Sequence, residues 1–160
     1  MSKRSYHAPE GGLPPQSQLL SGRAVFTEAY AVIPGGTMTD IVASLLPFWE
    51  KARFWVLARP LSGFAETFSQ YIAELQPGGG SDHPDSAPGV EAALFVMEGK
   101  LALTIDGVDH DMQPGGFAYI PPDAQWKARN TGSGPVRFHW IRKAYQAVDG
   151  ITPPEALGTN

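Results

Sequence analysis

An all-β barrel or sandwich is the fold this sequence predicts, and three observations carry that prediction. Short apolar or alternating runs follow one another along the chain, with turn residues at intervals of roughly 5–12 positions. Eighteen glycines and fifteen prolines among 160 residues supply those turns, yet stay below the low-complexity range. The pair Asp106-Gly107 also sits between two alternating segments. That is a strong short-range hairpin signal, because both residues tolerate positive φ.

The elements follow in order. Residues 1–22 are an irregular lead-in, since Pro9, Gly11, Gly12, Pro14 and Pro15 interrupt regular structure. The stretch 23–33 is rich in β-branched and aromatic residues and stops at Pro34-Gly35-Gly36, which reads as one strand. Runs 41–48 and 54–58 have strand length and are bounded by Pro47 and Pro60. Periodicity leaves 66–75 open between helix and strand; the Pro77-Gly78-Gly79 stop favours strand. Further strands are predicted at 93–97, 100–105, 108–112, 117–120, 125–130 and 136–144. Residues 150–160 are polar and Pro-rich, as in a linker or tail. The domain organisation expected is a segment 1–22, a β domain with preceding strands at 23–149, and a tail at 150–160.

Composition narrows the function classes. With 42% hydrophobic and 18% charged residues, the chain is globular and lightly charged. A formal net charge of −4 provides no basic footprint, so neither nucleic acid nor an anionic membrane surface is expected as a partner. No apolar run reaches the length of a spanning helix, and the N-terminus lacks the apolar core of a secretory signal. Without cysteine there is no disulfide, thiol nucleophile or thiolate ligand. These features fit a cytoplasmic protein.

The most specific pattern runs from Gly115 to Asn130. Its spacing is Gly115, five residues, Pro121, one residue, Asp123, two residues, Trp126, three residues, Asn130. It resembles the second signature of the cupin β-barrels, G-x5-P-x-G-x2-H-x3-N, with tryptophan in place of the metal-binding histidine. The first signature, G-x5-H-x-H-x3-4-E-x6-G, fits when it ends at Gly99. Its carboxylate then falls on Ala92, its histidines on Ser86 and Pro88 or on Asp85 and Ala87, and its opening glycine on Gly79 or Gly80. A transition metal needs three or four converging imidazole, thiolate or carboxylate donors, and only Asp85 qualifies. The resemblance therefore implies a cupin barrel (a jelly roll, or double-stranded β-helix) with no metal ligand set and no catalytic residue of its own.

Other chemistry-bearing residues carry weaker signals. His83 lies in the Gly-rich loop beside Asp82 and Asp85, too early for the motif; it is a solvated loop residue, a contact at a pocket rim, or part of an irregular metal site. Glu91 is one residue out of register with the motif carboxylate, and a one-residue slip reverses the face, so it should point away from the interior. Trp126 should point inward and fill the space an ion would need. His139, between Phe138 and Trp140, is either a hydrogen-bonded core residue or a lumen residue. Trp126, Tyr119, His139 and His83 are the pocket-lining candidates. Asp109 and Asp111 flank a hairpin, and Gly78-Gly79-Gly80 lacks the lysine and hydroxyl residue of a phosphate loop.

Longer strings add a family. H-A-P-E-G-G-L-P-P-Q (7–16), R-A-V-F-T-E-A-Y-A-V-I-P (23–34), F-W-V-L-A-R-P-L-S-G-F-A-E-T-F-S-Q-Y (54–71), L-F-V-M-E-G (94–99) and P-G-G-F-A-Y-I-P-P (114–122) resemble the first half of bacterial (S)-ureidoglycine aminohydrolases. That resemblance implies a bicupin of purine-ring catabolism, which releases ammonia from ureidoglycine with a manganese ion held in its second cupin. It further implies that the present chain is the metal-free N-terminal cupin. The expected partners are a second cupin domain, on the same or a separate chain, and further copies in a homo-oligomer. Two alternatives stand beside it: a stand-alone, metal-independent cupin that binds a small ligand, and a metal enzyme with non-standard ligands around His83.

Overall fold

The structure is a computed structural model that describes residues 25–26, 30–33, 46–58, 67–85, 87–152 and 157–158. The chain separates into two compact units, Met1–Val42 and Ala43–Asn160. In the first, β1 (Val25–Phe26) and β2 (Ala31–Val32) pair antiparallel, Val25 opposite Val32. The stretch 23–33 therefore turns back on itself instead of running as one strand. Of the expected run 41–48, residues 41–45 lie outside the described residues, and Pro47 and Phe48 form a turn leading to Trp49.

The second unit is all-β over its described residues. Its strands are β3 (Glu50–Ala58), β4 (Phe68–Ser81), β5 (Val90–Glu98), β6 (Leu101–Ile105), β7 (Val108–Met112), β8 (Phe117–Ile120), β9 (Trp126–Asn130), β10 (Val136–Ala144) and β11 (Leu157–Gly158). They hydrogen-bond in the order β11-β8-β5-β10-β4-β9-β6-β7, and β3 adds to β4. Every pairing is antiparallel. The result is a nearly closed antiparallel barrel, the cupin fold. The tail expected at 150–160 contributes β11, a two-residue strand on the edge of β8.

Strand β4 explains how the barrel curls. The Pro77-Gly78-Gly79-Gly80 run was expected to end it, but the strand continues to Ser81 and changes partners there. Up to Leu75 it pairs with β10 and β3; at Gly80 and Ser81 it pairs with Arg129 and Ala128 of β9. Opposite this corner, β3 slips register between Glu50 and Ala52, which is how a bulge bends one sheet into the next. Gly80 sits at φ +152°, and a Cβ there would run into the Ala128 carbonyl. Only glycine allows the two backbones to meet so closely.

Two positions of the Gly115–Asn130 frame, Asp123 and Asn130, have a visible task. Asp123 stands where the frame carries glycine, and it adopts the glycine-like φ of +65°; aspartate is among the few residues that tolerate this region. Its carboxylate accepts the Gly89 N–H at 2.8 Å and so ties two loops together. Asn130 is buried, donates to the carbonyls of Leu75 and Gly134 at 2.9 and 2.8 Å, and accepts the Gly132 N–H at 2.9 Å. The hairpin at Asp106-Gly107 forms with φ +47° and +81°, and joins β6 to β7 as expected.

Candidate functional site

The site that matters is the interior end of the barrel, where the cupin frame places its metal donors. Alternation along each strand decides what reaches it. In β10, Val136, Phe138 and Trp140 are buried, so their side chains face inward and Arg142 shares their parity. In β9, Trp126, Ala128 and Asn130 are the buried set. In β5, Ala92, Leu94 and Val96 face the interior.

These inward positions build an aromatic cluster. Trp126 meets Trp140 edge-on with ring centroids 5.7 Å apart, and Trp49 reaches both, at 6.4 Å from Trp126 and 5.6 Å from Trp140. Phe54 and Tyr71 close the other side of Trp140 at 6.1 and 5.3 Å. Trp49 is anchored by donating its indole N–H to the Pro84 carbonyl at 3.2 Å. The edge-to-face contacts of Trp126 with Trp49 and Trp140 add about 0.5–1.5 kcal/mol each beyond burial.

A guanidinium completes this end. Arg142 stands opposite Ala92 in the β10–β5 ladder, beside the position that holds the carboxylate in metal-binding cupins. It donates to Asp85 Oδ1 at 2.7 Å and lies 5.7 Å over the Trp140 ring. Asp85 is the one possible donor left in the ligand frame, and its side chain is only 9% exposed. Its charge is therefore already matched by a fixed cation. Oδ1 also accepts the Ala87 N–H at 3.0 Å.

The donor set does not fit a transition metal. Ala92 has no donor, Trp126 presents an indole, and Asp85 is paired with arginine; Ser86 lies outside the described residues. A divalent ion placed here would face Arg142 directly, in surroundings that screen charge poorly. Among the described residues, no group of three or more His, Asp or Glu is arranged to hold a metal ion.

The structure separates the four pocket candidates. Trp126 lies in the interior cluster. His139 alternates with inward Phe138 and Trp140, so it faces outward, opposite Phe95 and Ile72. Gln70 Nε2 donates to its Nδ1 at 3.3 Å, and burial of the ring holds its pKa below the usual 6.5. Tyr119 is likewise on the outer face of β8, between buried Ala118 and Ile120. It donates to Glu91 Oε2 at 2.7 Å; burial and that carboxylate push its pKa up to about 12. Tyr119 and His139 therefore do not share a cavity with Trp126, and Glu91 points away from the interior. His83 is exposed in the loop after β4, with its backbone N–H on Ser81 Oγ at 3.1 Å. The carboxylates beside it are engaged elsewhere, Asp82 with Arg129 at 2.9 Å and Asp85 with Arg142. Arg129 holds Asp82 below its ordinary pKa.

Sequence reasoning missed two members of the site. Arg142 had a signal: continuing the Phe138, Trp140 alternation puts an arginine on the inward face of β10, and a partly buried guanidinium favours a carboxylate partner. Trp49 had none, because its position depends on the turn that precedes β3.

Comparison with known proteins agrees with this fold. Residues 71–142 match the Cupin_2 cupin-domain family. The match and the signature frame agree with the strand order in giving this chain the cupin fold. Within that class it is related to the (S)-ureidoglycine aminohydrolase of Escherichia coli K12, at 24% identity over 139 residues, or 86% of this chain and 51% of that protein. A crystal structure named as a glyoxylate-induced protein of Pseudomonas aeruginosa is 63% identical, with a TM-score of 0.76 over 96% of this chain and 55% of the other. The protein Ylba of E. coli superposes with a TM-score of 0.78 at 22% identity, covering 91% of this chain and 59% of that one. The chain thus spans about half the length of these relatives. Among the described residues no helix is long and apolar enough to cross a membrane.

Proposed function

We propose that this chain is a metal-free cupin module of the ureidoglycine aminohydrolase type. It serves purine-ring breakdown in the cytoplasm by packing against a catalytic cupin domain, and it does not itself carry the catalytic centre. One observation supports this reading above the others. The ligand positions of the cupin frame hold the Trp126 ring, Ala92 and an Asp85 carboxylate paired with Arg142, which leaves a cation without a converging donor set. Purified 160-residue protein supplied with Mn²⁺ should release ammonia from ureidoglycine no faster than the spontaneous reaction. Release well above that rate would overturn the reading.

A second reading has an observation of its own. Asp85 Oδ2 and Trp140 Nε1 are buried without a hydrogen-bond partner among the described residues, which leaves one acceptor and one donor beside the aromatic cluster. Unpaired buried groups of this kind suit a small polar ligand. Under this reading the isolated chain binds a small ureido compound such as ureidoglycolate saturably, and Asp85→Asn abolishes that binding. A flat calorimetric titration would remove it.

A further inference from the structure

Trp49 joins the aromatic cluster to the neighbourhood of Asp85. Its ring lies 5.6 Å from that of Trp140 and 6.4 Å from that of Trp126. Its indole N–H goes to the Pro84 carbonyl at 3.2 Å, one residue before Asp85. Trp140 is only 1% exposed and the Asp85 side chain 9%. Trp140 Nε1 and Asp85 Oδ2 lack a hydrogen-bond partner among the described residues. The Arg142 guanidinium links the two, donating to Asp85 Oδ1 at 2.7 Å and lying 5.7 Å over the Trp140 ring. Both orphan atoms are shut off from water, so a ligand reaches them only when a neighbouring side chain moves. Trp49 touches Trp140 directly and is tied beside Asp85, which makes it the side chain to move.

The turn that carries Trp49 is weakly closed and strained. The Trp49 N–H reaches the Leu46 carbonyl at 3.4 Å, beyond the usual hydrogen-bond range. Pro47 and Phe48 are the central pair, and Phe48 takes φ +67°. After a proline, a turn with positive φ at this position calls for glycine or asparagine, and a bulky aromatic there is under strain. Burial does not compensate, because Phe48 is 65% exposed. Lys51 also has positive φ, at +47°, and β3 settles into register with β4 only past the slip that ends at Ala52. Residues 46–51 thus form a short strained segment ahead of a firm ladder.

The atoms that opening frees define the ligand. Arg142 and Asp85 already cancel each other's charge, so an uncharged group enters at the smallest desolvation cost. Asp85 Oδ2 accepts a hydrogen bond, and so does the Pro84 carbonyl once the Trp49 indole leaves it, while Trp140 Nε1 donates one. A terminal carboxamide or urea group matches this set, with two N–H donors and one carbonyl acceptor on a small planar frame.

We propose that the turn 46–51 is a lid, and that its Trp49 plug swings out to admit a neutral carboxamide or urea group to Asp85, Pro84 and Trp140. This rests on the second reading above, that the chain binds a small polar ligand, and adds how the site opens and which chemical end it takes. Two measurements on the 160-residue protein test it. The first is native-state hydrogen exchange of the Trp140 indole proton, followed by NMR without ligand. Its rate should be unchanged by low urea, the mark of a local opening. Phe48→Asn, which tolerates the positive φ, should hold the lid shut and slow that exchange about fivefold. Exchange that accelerates with urea in step with the Phe138 amide overturns the lid, as does a rate unmoved by Phe48→Asn; ligand binding can survive either result. The second is titration with acetamide to about 100 mM, the range a ligand of so few atoms requires. The Trp140 indole resonance should shift saturably in the wild type and stay still in Asp85→Asn. Sodium acetate, of equal size but charged, should leave it unmoved. Acetamide without effect, or acetate that shifts the resonance as much, overturns the proposal even where ureidoglycolate binds.

Discussion

The two faces of the β8-β5-β10-β4-β3 sheet invite comparison because both are apolar and only one is closed. Inside, Phe54, Leu94, Phe138 and Trp140 are excluded from water and pack around Trp126, which stands where the cupin frame carries a metal-binding histidine. Outside, Ile72, Phe95, Phe117 and Ile141 repeat the apolar pattern one residue out of phase, with water in front of the last three. Alternation alone accounts for the inner set. The outer set stays partly exposed. The contrast separates residues that hold the barrel together from residues that leave its stability little changed, and each class should respond differently to substitution.

The largest effect is expected inside. Trp140→Ala removes the ring shared by Trp49, Phe54, Tyr71 and Trp126 and should lower unfolding free energy by about 3–5 kcal/mol, read from urea melts. A loss under about 1 kcal/mol would mean that the interior is not packed as described. Asn130→Ala comes next. It strands two carbonyls and one N–H around the β9–β10 loop, so a loss of about 2–3 kcal/mol is expected.

His139 tests the boundary between the faces. Burial depresses its pKa below 6.5, so the unfolded chain takes up a proton at higher pH than the folded one. Its contribution is complete above the unfolded value and is lost as pH falls through the folded pKa. The urea midpoint of the wild type should therefore fall more between about pH 7.5 and about pH 5.5 than that of His139→Asn. Equal slopes would remove His139 as the cause. The smallest effect belongs to the open face: Phe117→Ser should change the stability of a dilute, monomeric sample by less than about 0.5 kcal/mol. A larger loss would mean that the face is already covered within one chain.

Much of the barrel was legible because its turns are written in short-range chemistry. Strands β8 and β10 have the bounds their flanking glycines and prolines suggest, and β9 differs by one residue. Asp123 takes the conformation of the glycine it replaces, which is why the signature survives a changed residue. What could not be read depends on long-range pairing. Pro77-Gly80 marks a corner where β4 exchanges partners, and a local stop signal is identical for a corner and an end. The reversal between β1 and β2 and the pairing of β11 with β8 are two-residue contacts with no periodicity to betray them. At the site, counting residues showed which ligands were missing and that Asp85 remained, but not that Arg142 pairs with it. For His139 and Tyr119, alternation gives two faces, and only the register with β4, β5 and β8 assigns the outward one.

The central claim is that side chains occupy the interior position where other cupins hold a metal. The most direct test is the electron paramagnetic resonance signal of aqueous Mn²⁺, titrated with the purified chain. Packed rings and a matched Arg142–Asp85 pair predict that the six-line signal keeps its full amplitude at equimolar protein. Stoichiometric loss of that signal, restored by Asp85→Asn, would contradict the account.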